Sequence, residues 1–155
     1  MTLKLCVIPG DGVGAEVIPS AVEVLRAVAQ DLAIIPAEAG WACFERCGDS
    51  FPTATRDAIR ECGAALFGAT SSPSRKVEGY RSPILGMRRA FDLYANLRPT
   101  RDTGLRPAAS AVAASLPDGI ARADLLIVRE NTEGLYVQRE YMRGEEAIAE
   151  RAITA

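Results

Sequence analysis

Apolar stretches alternate with turn residues in a regular order along this chain. The run LKLCVI, Leu3–Ile8, is short and continuously apolar, as in a strand buried on both faces of a parallel sheet. PGDGVG follows as a turn. AEVIPSAVEVLRAVAQ then places Val17, Ile18, Val22, Leu25 and Val28 on one helical stripe, with Pro19 as a candidate kink. LAIIPAEAG predicts a second strand. Thr53 is a candidate N-cap for a helix running to Cys62, and AALFGA, Ala64–Ala69, predicts a third buried strand. Strand and helix alternating at this spacing predict an α/β fold with a largely parallel sheet.

The stretch RSPILGMRRAFDLYANLRP reads as a mostly apolar helix and then a strand-like LYANL, with arginines breaking the pattern. After Pro99 the texture changes. TRDTGLRPAASAVAASLPDGI is rich in Ala, Pro, Gly and Ser and predicts an irregular connector with one short helix at most. ADLLIV, Ala123–Val128, predicts another buried strand, ending in the polar burst RENTEG. The residues beyond it alternate weakly and show no turn that would close a domain, and no internal repeat or low-complexity segment is present.

Composition narrows the class without naming it. A chain of 155 residues, 48% hydrophobic and 25% charged, is long enough for one cored domain or for parts of two. A net charge of −2 does not point to nucleic acid or an anionic membrane as partner. No apolar run approaches the roughly 18 residues of a membrane span. Met1 leads straight into the first strand, so a cytoplasmic protein without a targeting segment is expected. Cys6, Cys43, Cys47 and Cys62 form no C-x-x-C pair and histidine is lacking, so neither a zinc site nor a disulfide framework is expected. Acid–base chemistry then falls to Lys, Tyr, Asp or Glu.

Several motifs carry candidate chemistry. Gly10, Gly12 and Ala15 fit G-x-G-x-x-A between a strand and a helix, with Glu38 near the end of the next strand. That is either a dinucleotide fingerprint or a tight glycine turn that never touches pyrophosphate, and the pattern leaves both open. GATSSPSRK, Gly68–Lys76, follows a buried strand at the carboxyl edge of the sheet, where ligands bind in open α/β folds. Ser71, Ser72 and Ser74 offer hydroxyls there, and a solvated loop is the alternative.

Eight cations lie between Arg75 and Arg106, seven of them arginine, against only Glu78, Asp92 and Asp102. Arg89, Arg101 and Arg106 read as a solvated face. Arg88 sits on a mostly apolar helix, Arg98 at the end of LYANL, and Arg129 at the end of DLLIV before Glu130–Glu133. Held near the interior, each would demand an anion. The planar guanidinium fork suits carboxylates, so three such arginines fit a small polycarboxylate. Tyr136 is either a packing residue or a functional one.

IPGDGVGAEV, DLYANLRP and VRENTEGLY closely resemble the β-decarboxylating dehydrogenases that act on isocitrate, 3-isopropylmalate and homoisocitrate, from Lys4 to about Ile153. The resemblance implies an isocitrate/isopropylmalate dehydrogenase-like two-domain α/β sandwich, not a Rossmann fold, incomplete in this chain. It implies that residues 1–98 begin the first domain, with its cofactor and substrate cleft. Residues 99–155 would begin the second domain and part of the dimer arm.

By similarity, Val13, Ala69, Thr70, Ser71 and Ser72 lie beside the nicotinamide end of the cofactor. Ser72 also contacts substrate. Arg88, Arg98 and Arg129 match the arginines that grip the malate-like carboxylates. Tyr136 matches the proton-transferring tyrosine. Arg81, Ser82 and Leu85 lie in the segment that reads substrate identity, and SPSRKVEGYRSPILGMRR looks most like the branch acting on homoisocitrate. Some bacterial members of that branch carry arginine in place of Leu85.

The implied reaction is NAD-dependent oxidative decarboxylation of homoisocitrate to 2-oxoadipate, in lysine biosynthesis through aminoadipate, with Mg²⁺ or Mn²⁺ and a homodimer or higher homo-oligomer. Isopropylmalate or isocitrate as substrate, or a truncated non-catalytic chain that binds a polycarboxylate, are the alternatives. The metal-binding aspartates and the proton-transfer lysine are expected beyond Ala155, with no metal ligand within this chain.

Overall fold

The computed structural model describes residues 3–101 and 124–154, in two compact units, Met1–Phe91 and Asp92–Ala155. The first unit runs β1 (Lys4–Ile8), α1 (Gly14–Val28), β2 (Ala33–Pro36), α2 (Trp41–Cys47), α3 (Thr53–Cys62), β3 (Ala65–Phe67) and α4 (Pro83–Ala90). Its sheet has the order β2-β1-β3 and is parallel throughout. β1 is therefore the central strand, paired on both edges, and Cys6, Val7 and Ile8 are buried as the continuous apolar run predicts. Cys6, Ile8, Ala39, Phe51, Ile59 and Met87 form the core, with Phe67 and Phe91 packed against it. Each large side chain buried there contributes about 1.5–3 kcal/mol.

Several expectations for this unit change. α1 runs through Pro19 from Gly14 to Val28, and its inward face is Ile18, Ala21, Val22 and Leu25. Val17 and Val28 of the expected stripe are exposed. A fifteen-residue helix lying on a three-stranded sheet presents only one narrow stripe to it, and the other valines face outward. Thr53 is not the N-cap of α3. Pro52 occupies that position, its carbonyl accepting from Thr55 and Arg56, and no side chain caps the helix. The buried Thr55 instead sends its hydroxyl to the Glu38 carbonyl, 2.6 Å away. α2 has no counterpart among the sequence expectations, because only seven residues carry its period.

The second unit contains β4 (Ala95–Arg101), β5 (Asp124–Glu130), β6 (Gly134–Arg143) and β7 (Glu146–Ala152), paired antiparallel as β4-β5 and β6-β7. β4 continues past Pro99 to Arg101, so Arg98 lies inside the strand and not at its end. The connector expected from Thr100 therefore begins as strand, and its residues 102–121 lie outside the described residues, as do Asp102 and Arg106. β5 was expected to be buried, yet Leu125, Leu126, Ile127 and Val128 are all exposed. A two-stranded ribbon covers neither of its own faces. A turn missing from the sequence reading is present at Gly144–Glu145, joining β6 to β7 in a two-residue hairpin. No helix among the described residues is long and apolar enough to cross a membrane.

Candidate functional site

The first unit brings the glycine turn and the serine loop together. β1 and β3 are parallel neighbours, so both of their carboxyl ends open on one edge of the sheet. The Asp11 amide donates to the Ala69 carbonyl at 2.8 Å. Gly10 has φ +77°, and a Cβ there would stand 2.1 Å from that same carbonyl, so only glycine lets the two loops meet. This contact accounts for the glycine without a phosphate. Glu38, two residues beyond β2, is exposed on its side chain and pairs its carboxylate with Arg46.

Asp11 organises the meeting point. It is 8% exposed, and its carboxylate accepts from the amides of Trp41 at 2.7 Å, Ala42 at 2.9 Å and Ser71 at 3.1 Å. Sequence reasoning passed over it. The available signal was an acid between two glycines directly after a buried strand, where a carboxylate persists only if amides surround it.

Val13, Ala69, Thr70, Ser71 and Ser72 thus lie on two adjoining loops. Val13 is the N-cap residue of α1 with its side chain exposed, and Ala69, Ser71 and Ser72 are exposed while Thr70 is half-buried. Arg81 is exposed, and its carbonyl accepts from the Ser50 hydroxyl. Ser82 is the N-cap of α4, and its side chain makes no capping bond. Leu85 and Arg88 are half-buried on α4, whereas Arg89 is exposed, as the solvated-face reading expects. Cys6 and Cys43 are buried, and burial pushes both thiols up to about 11, Cys43 also through its contact with Cys47. Both stay protonated near neutral pH and act as small packing groups.

The second unit collects a different set. In the antiparallel register Asn96 opposes Arg129 and Arg98 opposes Ile127. Opposed and alternate residues share a face, so Arg98, Asn96 and Arg129 lie on one side of the β4-β5 ribbon. Arg98 is exposed, against the expectation of an interior cation, and its Nε donates to the Asn96 side chain at 2.8 Å. Arg101, read as a surface residue, is exposed and pairs with Asp124. The half-buried Arg129 lies over the Tyr136 ring, 5.2 Å from its centroid.

Glu130 builds the turn that makes this possible. One of its carboxylate oxygens accepts from the amide and hydroxyl of Thr132, the other from the Glu133 amide at 2.8 Å. The Thr132 hydroxyl, followed by those backbone amides, holds the Glu130 carboxyl below the ordinary glutamate value. Glu130 also escaped the sequence reading as an individual residue, being one acid in a polar run. Beside it, Asn131 is buried and its Oδ1 has no hydrogen-bond partner, while its amide donates to the Tyr94 carbonyl. Among the described residues no group of three or more His, Cys, Asp or Glu side chains could hold a metal ion.

Comparison with known proteins gives this geometry a family. The model for isocitrate/isopropylmalate dehydrogenase matches residues 4–155. The chain is 47% identical over 154 residues to an isocitrate/homoisocitrate dehydrogenase of Thermus thermophilus, covering 99% of this chain and 43% of that protein. It is 42% identical over 153 residues to a homoisocitrate dehydrogenase of Methanocaldococcus jannaschii, covering 98% and 44%. A crystal structure of a β-decarboxylating dehydrogenase from Thermococcus kodakarensis superposes with a TM-score of 0.69 at 38% identity, over 97% of this chain and 40% of that one. The chain thus spans less than half the length of the curated relatives it matches.

Proposed function

Because the chain belongs to the isocitrate/isopropylmalate dehydrogenase family, we propose that its protein oxidatively decarboxylates homoisocitrate to 2-oxoadipate with NAD. The observation that carries this reading is Arg129 lying over the ring of Tyr136, a candidate carboxylate ligand beside a candidate proton donor. The homoisocitrate branch is supported by relatives of that name at 42–47% identity. In this reading residues 1–98 begin the first family domain and 99–155 the second, the protein is a cytoplasmic homodimer or higher homo-oligomer, and the pathway is lysine biosynthesis through aminoadipate.

NAD⁺, when bound, supplies the hydride acceptor. Val13, Ala69, Thr70, Ser71 and Ser72 are the residues that would flank its nicotinamide, on two loops tied together by the Asp11 amide and the Ala69 carbonyl. Arg88, Arg98 and Arg129 bind substrate carboxylates, Arg98 and Arg129 from one ribbon face. Ser72 contacts the substrate, and Arg81, Ser82 and Leu85 read its distal group. Loss of hydride and of the hydroxyl proton leaves a ketone β to a carboxylate. That carboxylate departs as CO₂, and Tyr136 delivers a proton to the carbon of the resulting enol. The family resemblance brings Mg²⁺ or Mn²⁺ into the proposal. Among the described residues no group of three or more His, Cys, Asp or Glu side chains could hold such an ion.

The test is a comparison of kcat/KM for homoisocitrate, isocitrate and 3-isopropylmalate in the complete enzyme, beside Arg81→Glu. Homoisocitrate is expected to lead, and Arg81→Glu to lower its rate most. Faster turnover of either other acid would reassign the substrate. Binding of all three without turnover would favour a non-catalytic polycarboxylate-binding chain. The 155-residue chain alone is expected to be inactive in the same assay.

A further inference from the structure

The serine loop is held by a closed circuit of contacts. The Ser71 amide donates to Asp11 at 3.1 Å, and the Ser71 carbonyl accepts from the Tyr80 hydroxyl at 3.3 Å. The Tyr80 ring meets Trp41 edge-on at 5.3 Å and Phe44 at 5.2 Å, and those two rings stack on each other at 5.6 Å. The Trp41 amide returns to Asp11 at 2.7 Å and closes the ring of contacts. One residue of the loop is therefore gripped through both its backbone amide and its backbone carbonyl, and both grips trace back to the first turn of α2.

Gly40, the N-cap of α2, has φ +117°, and a Cβ there would lie 2.3 Å from an Asp11 carboxylate oxygen. The same loop is pinned again before α4, where Ser50 donates to the Arg81 carbonyl. The eight residues between, Ser72–Gly79, form a strap whose two ends are tied to the scaffold.

We propose that Asp11 and Tyr80 are positioning residues that set Ser71 and Ser72 for cofactor and substrate, neither of them touching the reacting atoms. This rests on the dehydrogenase reading above. Asp11 is the stronger grip, being buried and charged with three amide donors, whereas the Tyr80 bond is long and solvent-facing. Asp11→Asn turns one carboxylate oxygen into a donor aimed at amides. Tyr80→Phe keeps the ring contacts and deletes only the hydroxyl.

In the complete enzyme, amide hydrogen exchange at Ser71 should accelerate roughly tenfold or more in Asp11→Asn and about two- to fivefold in Tyr80→Phe. KM for NAD and for the acid should rise in the same order, by about tenfold or more and about two- to fivefold, with kcat changed less than about twofold in Tyr80→Phe. Faster exchange with unmoved KM would overturn the positioning role. Unmoved exchange with normal wild-type activity would overturn the grip itself. If Asp11→Asn fails to fold, Tyr80→Phe carries both readouts. A wild-type enzyme silent on all three acids would overturn the dehydrogenase reading and the positioning role together. Exchange at Ser71 would still report whether the grip exists.

Discussion

β1 and β5 carry nearly the same apolar run, LCVI in one and LLIV in the other, and meet opposite fates. In β1 Cys6 and Ile8 are 0% exposed, while in β5 Ile127 is 50% and Val128 61% exposed. The runs do not differ in hydrophobicity enough to explain this. β1 has a parallel strand on each edge and a core drawn from α3 and α4, whereas β5 has one partner strand and no helix in its unit among the described residues. A continuous apolar run therefore specifies a strand that can be buried, and the layers laid over it decide whether it is.

The largest expected effect challenges the idea that the sparser unit is a passive one. In the complete enzyme Tyr136→Phe should lower kcat by about 10²–10⁴-fold with the substrate affinity little changed. A loss under about tenfold would leave the second unit without the chemistry assigned to it.

Stability sharpens the contrast next. In the 155-residue chain Ile8→Ala should cost about 2–5 kcal/mol by urea unfolding, against less than about 0.5 kcal/mol for Ile127→Ala. Trp41, the single tryptophan, reports the first unit by fluorescence. Equal costs would mean that β5 is covered in solution.

A smaller effect separates side-chain ties from core packing. Thr55→Val keeps the buried shape and strands the Glu38 carbonyl, for a loss of about 1 kcal/mol in the first unit only.

The smallest effect is a pH dependence confined to the β5–β6 turn. Glu130 has its carboxyl lowered in the fold, chiefly by the Thr132 hydroxyl. Its contribution is thus present above the unfolded value near 4.5 and lost as pH falls through the lower folded value. Turn stability followed by exchange at Thr132 and Glu133 should decline at acid pH in the wild type. In Glu130→Gln that acid limb should be gone, and parallel pH curves for the two proteins would contradict the shift.

Much of this was legible in the residues. The three parallel strands, the long first helix and the serine loop after β3 follow from short apolar runs and helical spacing, because backbone and side-chain periodicities are local properties. VRENTEGLY and NLRP carried the family resemblance, being unbroken local motifs that can be read without any tertiary contact. Asp11 and Tyr80 were not legible. Their partners lie 30 and 31 residues away for Asp11 on α2, 60 for Asp11 to Ser71, and 9 for Tyr80 to Ser71. A contact at such separation leaves no periodic trace. The hairpin at Gly144–Glu145 was missed for another reason, because its flanking strands are exposed and so lack strong alternation.

The sequence by itself determined where the three parallel strands, the long first helix and β5 form, and it carried the family resemblance in its motifs. Only the tertiary structure decided that the glycine turn packs on the Ala69 backbone, that Arg98 and Arg129 share a ribbon face, and that β5 is left exposed by the described residues of this chain. Element type is set by neighbours along the chain. Burial, register and the grip on Ser71 are set by neighbours in space, which a parallel sheet brings together from distant positions.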